Sequence, residues 1–116
     1  DGSGGDEDLG INGGTPQWAP DGRYLLYQTS DATLNFDVRA MPLTGDRTPV
    51  VVAGSEHGER AGRFSPDGRW VAYDSTESGR REIWLQPFPP TGSRWQVSTA
   101  GGATPEWRRD GKELFY

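Results

Sequence analysis

A Ser-His-Asp catalytic arrangement in this sequence would have to use His57, because it is the only histidine in the chain. A Ser-His-Asp hydrolase uses histidine as its general base and often carries its serine in a Gly-x-Ser-x-Gly turn, which the sequence lacks. His57 stands in the polar segment Ser-Glu-His-Gly, where a solvated loop histidine is favoured over a catalytic base. Kinase motifs are also missing, since Gly2-x-Gly4 is followed by Glu7 where a phosphate-binding loop has its third glycine. The sequence therefore predicts that this chain is not an enzyme.

The acidic start of the chain, residues 1–8 with the sequence DGSGGDED, contains carboxylates and glycines of the kind that bind calcium. It lacks the regular Asp-x-Asp-x-Asp-Gly spacing and the later bidentate glutamate of a calcium loop. A flexible, solvated tail is therefore the favoured interpretation. The chain has no cysteine, which excludes disulfides and thiolate metal sites. We expect neither a metal nor a cofactor.

Polar residues that vary at one repeated position are the candidates for ligand recognition. Gln17, Arg63 and Glu106 each stand directly before an aromatic residue in otherwise similar segments. Variation on a constant framework is where a repeat protein places binding residues, although ordinary polar surface residues are the competing interpretation. Arginine pairs at 80–81 and 108–109 are able to bind an anion, but pairing with neighbouring carboxylates is favoured. The candidate ligand-binding residues are Gln17, Arg63, Glu106 and Arg108.

Composition limits the fold and the partners. The formal net charge of −5 disfavours a nucleic-acid-binding surface, because phosphate binding needs clustered Lys and Arg. No apolar run reaches the roughly 18 residues of a membrane-spanning helix, and no basic start followed by an apolar segment suggests a signal peptide. With 17 Gly, 9 Pro, 5 Trp, 4 Tyr and 4 Phe, the chain is expected to be a turn-rich β protein with an aromatic core. We expect no nucleic acid as a partner and no membrane insertion by this segment.

One turn sequence recurs three times along the chain. The segments APDGRY at 19–24, SPDGRW at 65–70 and RRDGKE at 108–113 place Asp-Gly turns 46 and 43 residues apart. An aromatic residue stands three positions before each aspartate, and a tyrosine stands six positions after it. A period in the forties is typical of repeat architectures such as β-propellers. The residues of the repeated motif are Trp18, Asp21, Gly22, Phe64, Asp67, Gly68, Trp107, Asp110 and Gly111.

Each unit divides into four short strands separated by turns. First strands are expected near 15–19, 61–65 and 104–108, second strands near 23–29, 69–75 and 112–116, third strands near 35–41 and 81–86, and fourth strands near 48–53 and 94–99. The second strands, such as WVAY at 70–73, are apolar at consecutive positions, which predicts burial on both faces. The predicted fold class is all-β, a partial β-propeller with two full four-stranded blades and flanking strands of further blades.

The repeat also predicts the domain organisation and the role of its aromatic residues. An acidic, glycine-rich tail at 1–11 leads into a strand, and a propeller segment covers 12–116 as blade 12–58, blade 59–101 and half-blade 102–116. In each turn the aspartate is expected to accept backbone N–H groups and the glycine to take a positive φ. Trp18, Phe64 and Trp107 are expected to pack as wedges between neighbouring blades.

Two blades and a half cannot close a ring, since known propellers have at least about four blades. Exposed blade faces and unpaired strand edges favour self-association. We expect the chain to be either part of a longer protein or a protomer that closes a ring with other copies. In the second case, the first strand of one copy would complete the half-blade of another, giving a two-fold homodimer with six blades.

The segments APDGRYLLY, SPDGRWVAY, IWLQPFP and WQVSTAGGATPEWRRDGKELFY resemble the TolB-type propeller repeat over about residues 12–116. They look most like the propellers on the C-terminal side of bacterial membrane-anchored serine/threonine kinases. The resemblance implies a propeller of six or seven blades in the periplasm or elsewhere outside the cytoplasm, which serves interaction or sensing and not catalysis. Arg108-Arg109 departs from the usual Ser-Pro of the turn.

The leading functional hypothesis is a non-catalytic propeller segment that binds protein or peptide within a bacterial signalling protein. Two alternatives come from the same resemblance. One is the gating propeller of a prolyl-oligopeptidase-type peptidase, whose catalytic domain is separate. The other is a TolB-like periplasmic protein of the cell envelope. A kinase domain encoded upstream would favour the signalling protein, and a Gly-x-Ser-x-Gly motif encoded downstream would favour the peptidase. A signal peptide without either enzyme domain would favour the envelope protein.

Overall fold

The computed structural model describes residues 16–30, 36–54 and 58–116, and these ranges form β-strands without a helix. The strands are β1 (Gln17–Trp18), β2 (Tyr24–Ser30), β3 (Phe36–Pro42), β4 (Val50–Ala53), β5 (Arg60–Phe64), β6 (Trp70–Ser75), β7 (Glu82–Pro87), β8 (Trp95–Gln96), β9 (Glu106–Trp107) and β10 (Leu114–Phe115). The acidic start and His57 lie outside the described residues.

The described strands form three antiparallel sheets, ordered β1-β2-β3-β4, β5-β6-β7-β8 and β10-β9. Within each sheet, every strand pairs with the next one along the chain, so the first two sheets are four-stranded meanders and the third is a hairpin. This arrangement confirms the predicted all-β partial propeller. The unit boundaries after residues 58 and 101 stay predictions.

The Asp-Gly turns have the same hydrogen bonds in all three sheets. In the second sheet, Gly68 N–H donates to the Ser65 carbonyl at 2.9 Å, and Ser65 N–H donates to the Trp70 carbonyl at 2.9 Å. Arg69 N–H donates to Asp67 Oδ1 at 3.0 Å. The corresponding bonds occur in the turns of the other two sheets. The motif recurs because each first hairpin needs an acceptor just before the glycine and a glycine at positive φ.

Successive turns also pack on one another. A Cβ at Gly68 would lie 3.4 Å from Pro20 Cδ, and a Cβ at Gly111 would lie 3.6 Å from Pro66 Cδ. The proline of one turn therefore lies over the glycine of the next. The φ of Gly68 is +72°, so both the backbone and the available space favour glycine there.

The core lies between the first two sheets. Leu26 and Val38 of the first sheet and Val71 and Tyr73 of the second belong to one buried apolar cluster. Every residue of β6 after its first is buried, as its run of consecutive apolar residues predicts. Phe88, in the loop after β7, contacts rings from both sheets: its ring centroid is 5.0 Å from that of Tyr24 and 5.0 Å from that of Phe64, edge to face in each pair.

The three predicted wedge residues have different environments. Phe64 is 2% exposed, within the cluster between the first two sheets. Trp107 is half-buried, and its indole Nε1 donates to the Arg63 carbonyl at 3.1 Å, joining the third sheet to the second. Trp18 is 64% exposed, so the expectation that it packs between two blades is wrong for the described part of this chain.

Each later sheet is also joined to the sheet before it by one repeated hydrogen bond. Ala61 N–H donates to Gln28 Oε1 at 3.1 Å, and Thr104 N–H donates to Asp74 Oδ2 at 2.8 Å. Ala61 and Thr104 occupy the same position of the repeat and have φ of 57° and 53°, in the left-handed region. We call these two bonds the sheet joints. Since a left-handed conformation is strained without glycine, the bond to the previous sheet helps to hold it.

Candidate functional site

Three of the candidate ligand-binding residues meet across the first strands of the three sheets. Gln17 of β1, Arg63 of β5 and Glu106 of β9 line a cavity of about 390 Å³, together with Arg109 and Trp107. We call this cavity the inner cleft. The three side chains face a common space because they occupy the same position of consecutive repeats. Their role in ligand binding stays a prediction.

Hydrogen bonds fix two of these residues within the scaffold. Gln17 Oε1 accepts from Phe64 N–H at 2.6 Å, which ties β1 to β5. Arg63 NH1 donates to the Gly62 carbonyl at 2.9 Å, which holds the guanidinium close to its own strand. Gln17 and Arg63 are half-buried and Glu106 is exposed. The cleft therefore has a fixed amide and a positioned guanidinium on one side and a solvated carboxylate on the other.

Arg108, the fourth candidate, is not one of the residues that line the inner cleft. Its guanidinium pairs with Asp110 and with Glu113, each at 3.4 Å, within its own hairpin. The neighbouring Arg109 lines the cleft instead. Sequence reasoning missed Arg109 because it takes the place of a turn proline, and a departure from a turn motif does not show which way the new side chain points.

Ser65 is a potential nucleophile at the inner cleft, and its hydrogen bonds show how its hydroxyl is used. Ser65 directs its hydroxyl to Asp67 Oδ1 at 2.6 Å and accepts Trp70 N–H at 3.1 Å. The hydrogen bonds from the Ser65 hydroxyl and from Arg69 N–H hold the pKa of Asp67 below its ordinary value. Ser65 is thus engaged in the turn, with the Asp67 carboxylate beside it. A guanidinium, an amide and a carboxylate around an aromatic wall suit the recognition of polar groups.

A second cavity, of about 280 Å³, lies between the outer strand of the first sheet and the second sheet. Tyr73, Glu77 and Arg94 line it, and Arg94 pairs with Glu77 while its guanidinium lies 4.9 Å from the Trp84 ring. Burial raises the pKa of Tyr73 to about 12. The Gln86 side chain donates to the Val52 carbonyl at 2.7 Å and joins the two sheets, whereas the ion pair connects two loops of the second sheet. We assign these contacts a structural role.

Asp74 is a buried carboxylate at the junction of the second and third sheets. Its side chain is fully buried, and it accepts hydrogen bonds from Arg60 Nε at 3.1 Å, from Arg81, and from Thr104 N–H at 2.8 Å. These bonds satisfy the oxygens of a side chain that is removed from water. The sequence did not reveal this cluster, because Arg60, Arg81 and Asp74 come from three different strands and loops.

The described residues contain no group of three or more His, Asp or Glu side chains that could hold a metal ion. In the same ranges, no helix is long and apolar enough to cross a membrane. The prediction that the acidic start is a solvated tail and not a calcium site concerns residues outside the described ranges.

Comparisons with known proteins identify the fold. No protein-family model matches the chain. A protein described as a TolB from Agrobacterium tumefaciens gives a TM-score of 0.74 at 23% identity, over 87% of this chain and 35% of the other. TolB from Acinetobacter baumannii gives a TM-score of 0.72 at 25% identity, over 90% of this chain and 26% of the other. The fold is that of a TolB-type β-propeller.

The chain is also similar to a curated protein that is longer than this chain. An uncharacterized protein of Agrobacterium fabrum is 28% identical over 109 residues, which cover 87% of this chain and 34% of the relative. The chain therefore spans roughly a quarter to a third of the length of the proteins it matches. The TolB-type part of the resemblance noted in the sequence is confirmed at the level of the fold, and the TolB-type propeller described here corresponds to part of those longer chains.

Proposed function

We propose that this chain is a non-catalytic segment of a TolB-type β-propeller and that it binds protein or peptide through the inner cleft. One observation carries the proposal. Side chains that differ between repeats, while the strands and turns around them stay the same, face one cavity of about 390 Å³. In a repeat protein, such a surface is where recognition is placed.

The groups in the inner cleft suit an extended peptide. Arg63 and Arg109 are able to bind a carboxylate of the partner, and Glu106 is able to bind a lysine or arginine side chain. The half-buried ring of Trp107 provides an apolar wall against which a side chain can pack. The net charge of −5 argues against a partner with a phosphate backbone. A protein or peptide segment with mixed charge is the partner class that these groups support.

We infer that the propeller works outside the bacterial cytoplasm, as the sensor or scaffold of a signalling protein linked to a serine/threonine kinase. The location is supported by the resemblance to TolB structures, and the kinase link by the resemblance of the repeat sequence to kinase-associated propellers. A kinase domain encoded upstream in the same gene would support the link to a kinase, and a gene without such a domain would contradict it.

A TolB-like protein of the cell envelope is the second candidate function. It is favoured by the two TolB structures that share this fold. Both candidates use the propeller for binding, so they differ in the parent protein and not in the cleft. A gene with a signal peptide and neither a kinase nor a peptidase domain would favour the envelope protein.

The binding proposal is tested by selecting short random peptides on the purified chain. The dissociation constant of each selected peptide is then measured by titration calorimetry on the wild type and on Arg63→Ala and Glu106→Ala. We expect each substitution to weaken binding at least tenfold, because it removes a charge that faces the cleft. Arg47→Ala is the matched control, since Arg47 is an exposed arginine of the first sheet that does not line the cleft.

Peptides that bind the two cleft variants as tightly as the wild type would contradict the proposal. So would a selection that yields no peptide, or an Arg47→Ala variant that loses as much affinity as Arg63→Ala.

A further inference from the structure

The cavity between the first two sheets has a floor and a rim of different character. Both sheets that form its walls have all four strands. The floor consists of buried residues, namely Val52, Ala53, Glu59, Tyr73 and Gln86. The rim includes exposed residues such as Gly54, Gly92 and Arg94. We call this space the outer cavity; its volume of about 280 Å³ is near the lower end of ligand pockets and suits a small molecule or one side chain.

Glu59 is a buried carboxylate at a position where the repeat otherwise has glycine. The residue five positions before the repeated aromatic is Gly13 in the first unit and Gly102 in the third. Glu59 N–H donates to the Phe36 carbonyl at 2.9 Å, and Gly102 N–H donates to the Arg81 carbonyl at 3.0 Å. Since Phe36 and Arg81 also correspond in the repeat, the backbone is used in the same way in both units. The fold therefore does not require a side chain at this position.

The two junctions between sheets differ in the space that they leave there. A Cβ at Gly102 would lie 3.0 Å from Ile83 Cγ1 and 3.1 Å from Ser98 Oγ, which is tighter than ordinary van der Waals contact. At the earlier junction the same position opens on the outer cavity, and the Glu59 side chain lines it while being 2% exposed. Burial of a carboxylate costs free energy. A residue that departs from its repeat at such a cost is a candidate for function.

Arg94 is held at the rim by contacts of its own. Its two NH groups donate to the Glu77 carboxylate, and its guanidinium lies 4.9 Å from the centre of the Trp84 ring. The described residues that line the outer cavity thus carry two carboxylates, those of Glu59 and Glu77, and one guanidinium. The lining has an excess of negative charge, which favours a cationic ligand.

The floor also offers the acceptors that an ammonium group needs. Gln86 Nε2 donates to the Val52 carbonyl at 2.7 Å, which fixes the amide and leaves its oxygen to accept. The Glu59 carboxylate and the Tyr73 hydroxyl belong to the same floor. An alkylammonium has three N–H donors for these groups, and its carbon chain is able to lie against Val52 and Ala53.

We propose that the outer cavity binds a primary ammonium group, with the Glu59 carboxylate as its counter-ion on the floor. The ammonium is supplied by a lysine side chain of a partner protein or by a small free amine, because both carry the same group on a short carbon chain. The outer cavity shares no lining residue with the inner cleft, so the inference does not depend on the proposed function.

The direct test titrates two amines, N-acetyl-lysine methylamide and n-butylammonium chloride, into the isotope-labelled chain and follows the amide signals by NMR. We expect saturable shifts at Glu59, Tyr73 and Gln86. N-acetyl-norleucine methylamide, which lacks the ammonium, should bind at least tenfold more weakly than the lysine derivative. Equal affinity of the two amines supports a free amine as the ligand, and tighter binding of the lysine derivative supports a protein side chain.

A chain variant tests the carboxylate. Glu59→Gln keeps the size of the side chain and removes its charge, so it should weaken binding of the lysine derivative at least tenfold. Asp46→Asn is the matched control and should bind normally, because Asp46 is an exposed carboxylate that does not line the outer cavity. Thermal melts establish that Glu59→Gln is folded, and the norleucine derivative gives an independent answer on the wild-type chain.

The proposal is overturned if neither amine binds, or if the norleucine derivative binds as tightly as the lysine derivative. It is also overturned if Glu59→Gln leaves the affinity unchanged or if Asp46→Asn loses as much. Shifts confined to Gln17, Arg63 and Glu106 would overturn it as well, because the ammonium would then occupy the inner cleft.

Discussion

The second sheet and the third sheet carry the same sequence pattern in different surroundings. Both contain the aromatic residue, the Asp-Gly turn and the tyrosine at matching positions, and their first hairpins have the same register. Yet Tyr73 in the second sheet is 1% exposed and Tyr116 at the end of the third is 56% exposed. The second sheet has a described sheet next to it on both faces, whereas the third sheet has a described neighbour on one face.

This difference shows that the repeat specifies a strand and a turn, while burial comes from the neighbouring sheet. Trp18 gives the same result at the other end, since it shares its repeat position with the buried Phe64 but is exposed. The stability of each unit therefore depends mainly on its interfaces, as expected for a repeat protein. Substitutions at matched positions measure this dependence.

The largest effect is expected for Phe64→Ala. It leaves a cavity between the first two sheets and removes the ring contact with Phe88, so the free energy of unfolding should fall by about 3–5 kcal/mol. Trp18→Ala at the matching exposed position should change it by no more than about 0.5 kcal/mol. Urea denaturation followed by circular dichroism measures both. Equal losses in the two variants would mean that the interface does not set the stability.

A somewhat smaller loss is expected for Asp74→Ala. It leaves the guanidinium groups of Arg60 and Arg81 and the Thr104 N–H without their shared buried acceptor, at a cost of about 3 kcal/mol. Gln28→Ala removes the neutral acceptor of the earlier sheet joint and should cost about 1 kcal/mol. The same denaturation experiment compares them. A larger loss for Gln28→Ala would show that the charged cluster does not stabilise the later joint.

Gly68→Val tests the turns. A β-branched residue at a φ of +72° is strained and also meets the Pro20 ring, so we expect a loss of about 1–3 kcal/mol in the free energy of unfolding. Gly22→Val shares the positive φ, but its Cβ would have no atom within 4 Å, so it should lose less. Thermal melts rank the two variants. An unchanged melting temperature for Gly68→Val would refute the turn assignment.

The smallest effect is expected from pH. Hydrogen bonds from the Ser98 hydroxyl, from Arg80 and from Gly101 N–H hold the pKa of Glu82 below its ordinary value of 4.5. Because the pKa is lower in the folded chain, the stabilisation is complete above that ordinary value and is lost as pH falls through the folded pKa. The melting temperature should therefore fall as the solution is acidified below about pH 5. Glu82→Gln should show a shallower fall, and an identical slope would contradict this role of Glu82.

Much of the fold could be predicted from the sequence, because the same motif occurs three times and each occurrence supports the assignment of the others. The spacing of the Asp-Gly turns located all three hairpins, and the consecutive apolar residues of WVAY predicted the buried β6. The positive φ of Gly22, Gly68 and Gly111 follows from turn chemistry that acts over a few residues. Such local rules can be applied to the sequence without knowing which sheets lie beside the turn.

The candidate site could be predicted only in part. Gln17, Arg63 and Glu106 lie together because they share a repeat position. Whether Arg108 or Arg109 lines the cleft depends on the direction of each side chain, which the repeat does not specify. The Asp74 cluster and the pairing of Arg94 with Glu77 have no repeated pattern and join segments distant in sequence. Contacts of this kind are set by tertiary packing, which composition and spacing do not encode.

The sheet joints have a consequence for how such a protein can lengthen. The second sheet carries a donor, Ala61 N–H, for the sheet before it and an acceptor, Asp74, for the sheet after it. A unit of this kind, copied or removed whole, keeps the joint itself matched, because the donor at one end complements the acceptor at the other. Growth by gene duplication is thus compatible with this hydrogen bond at every stage.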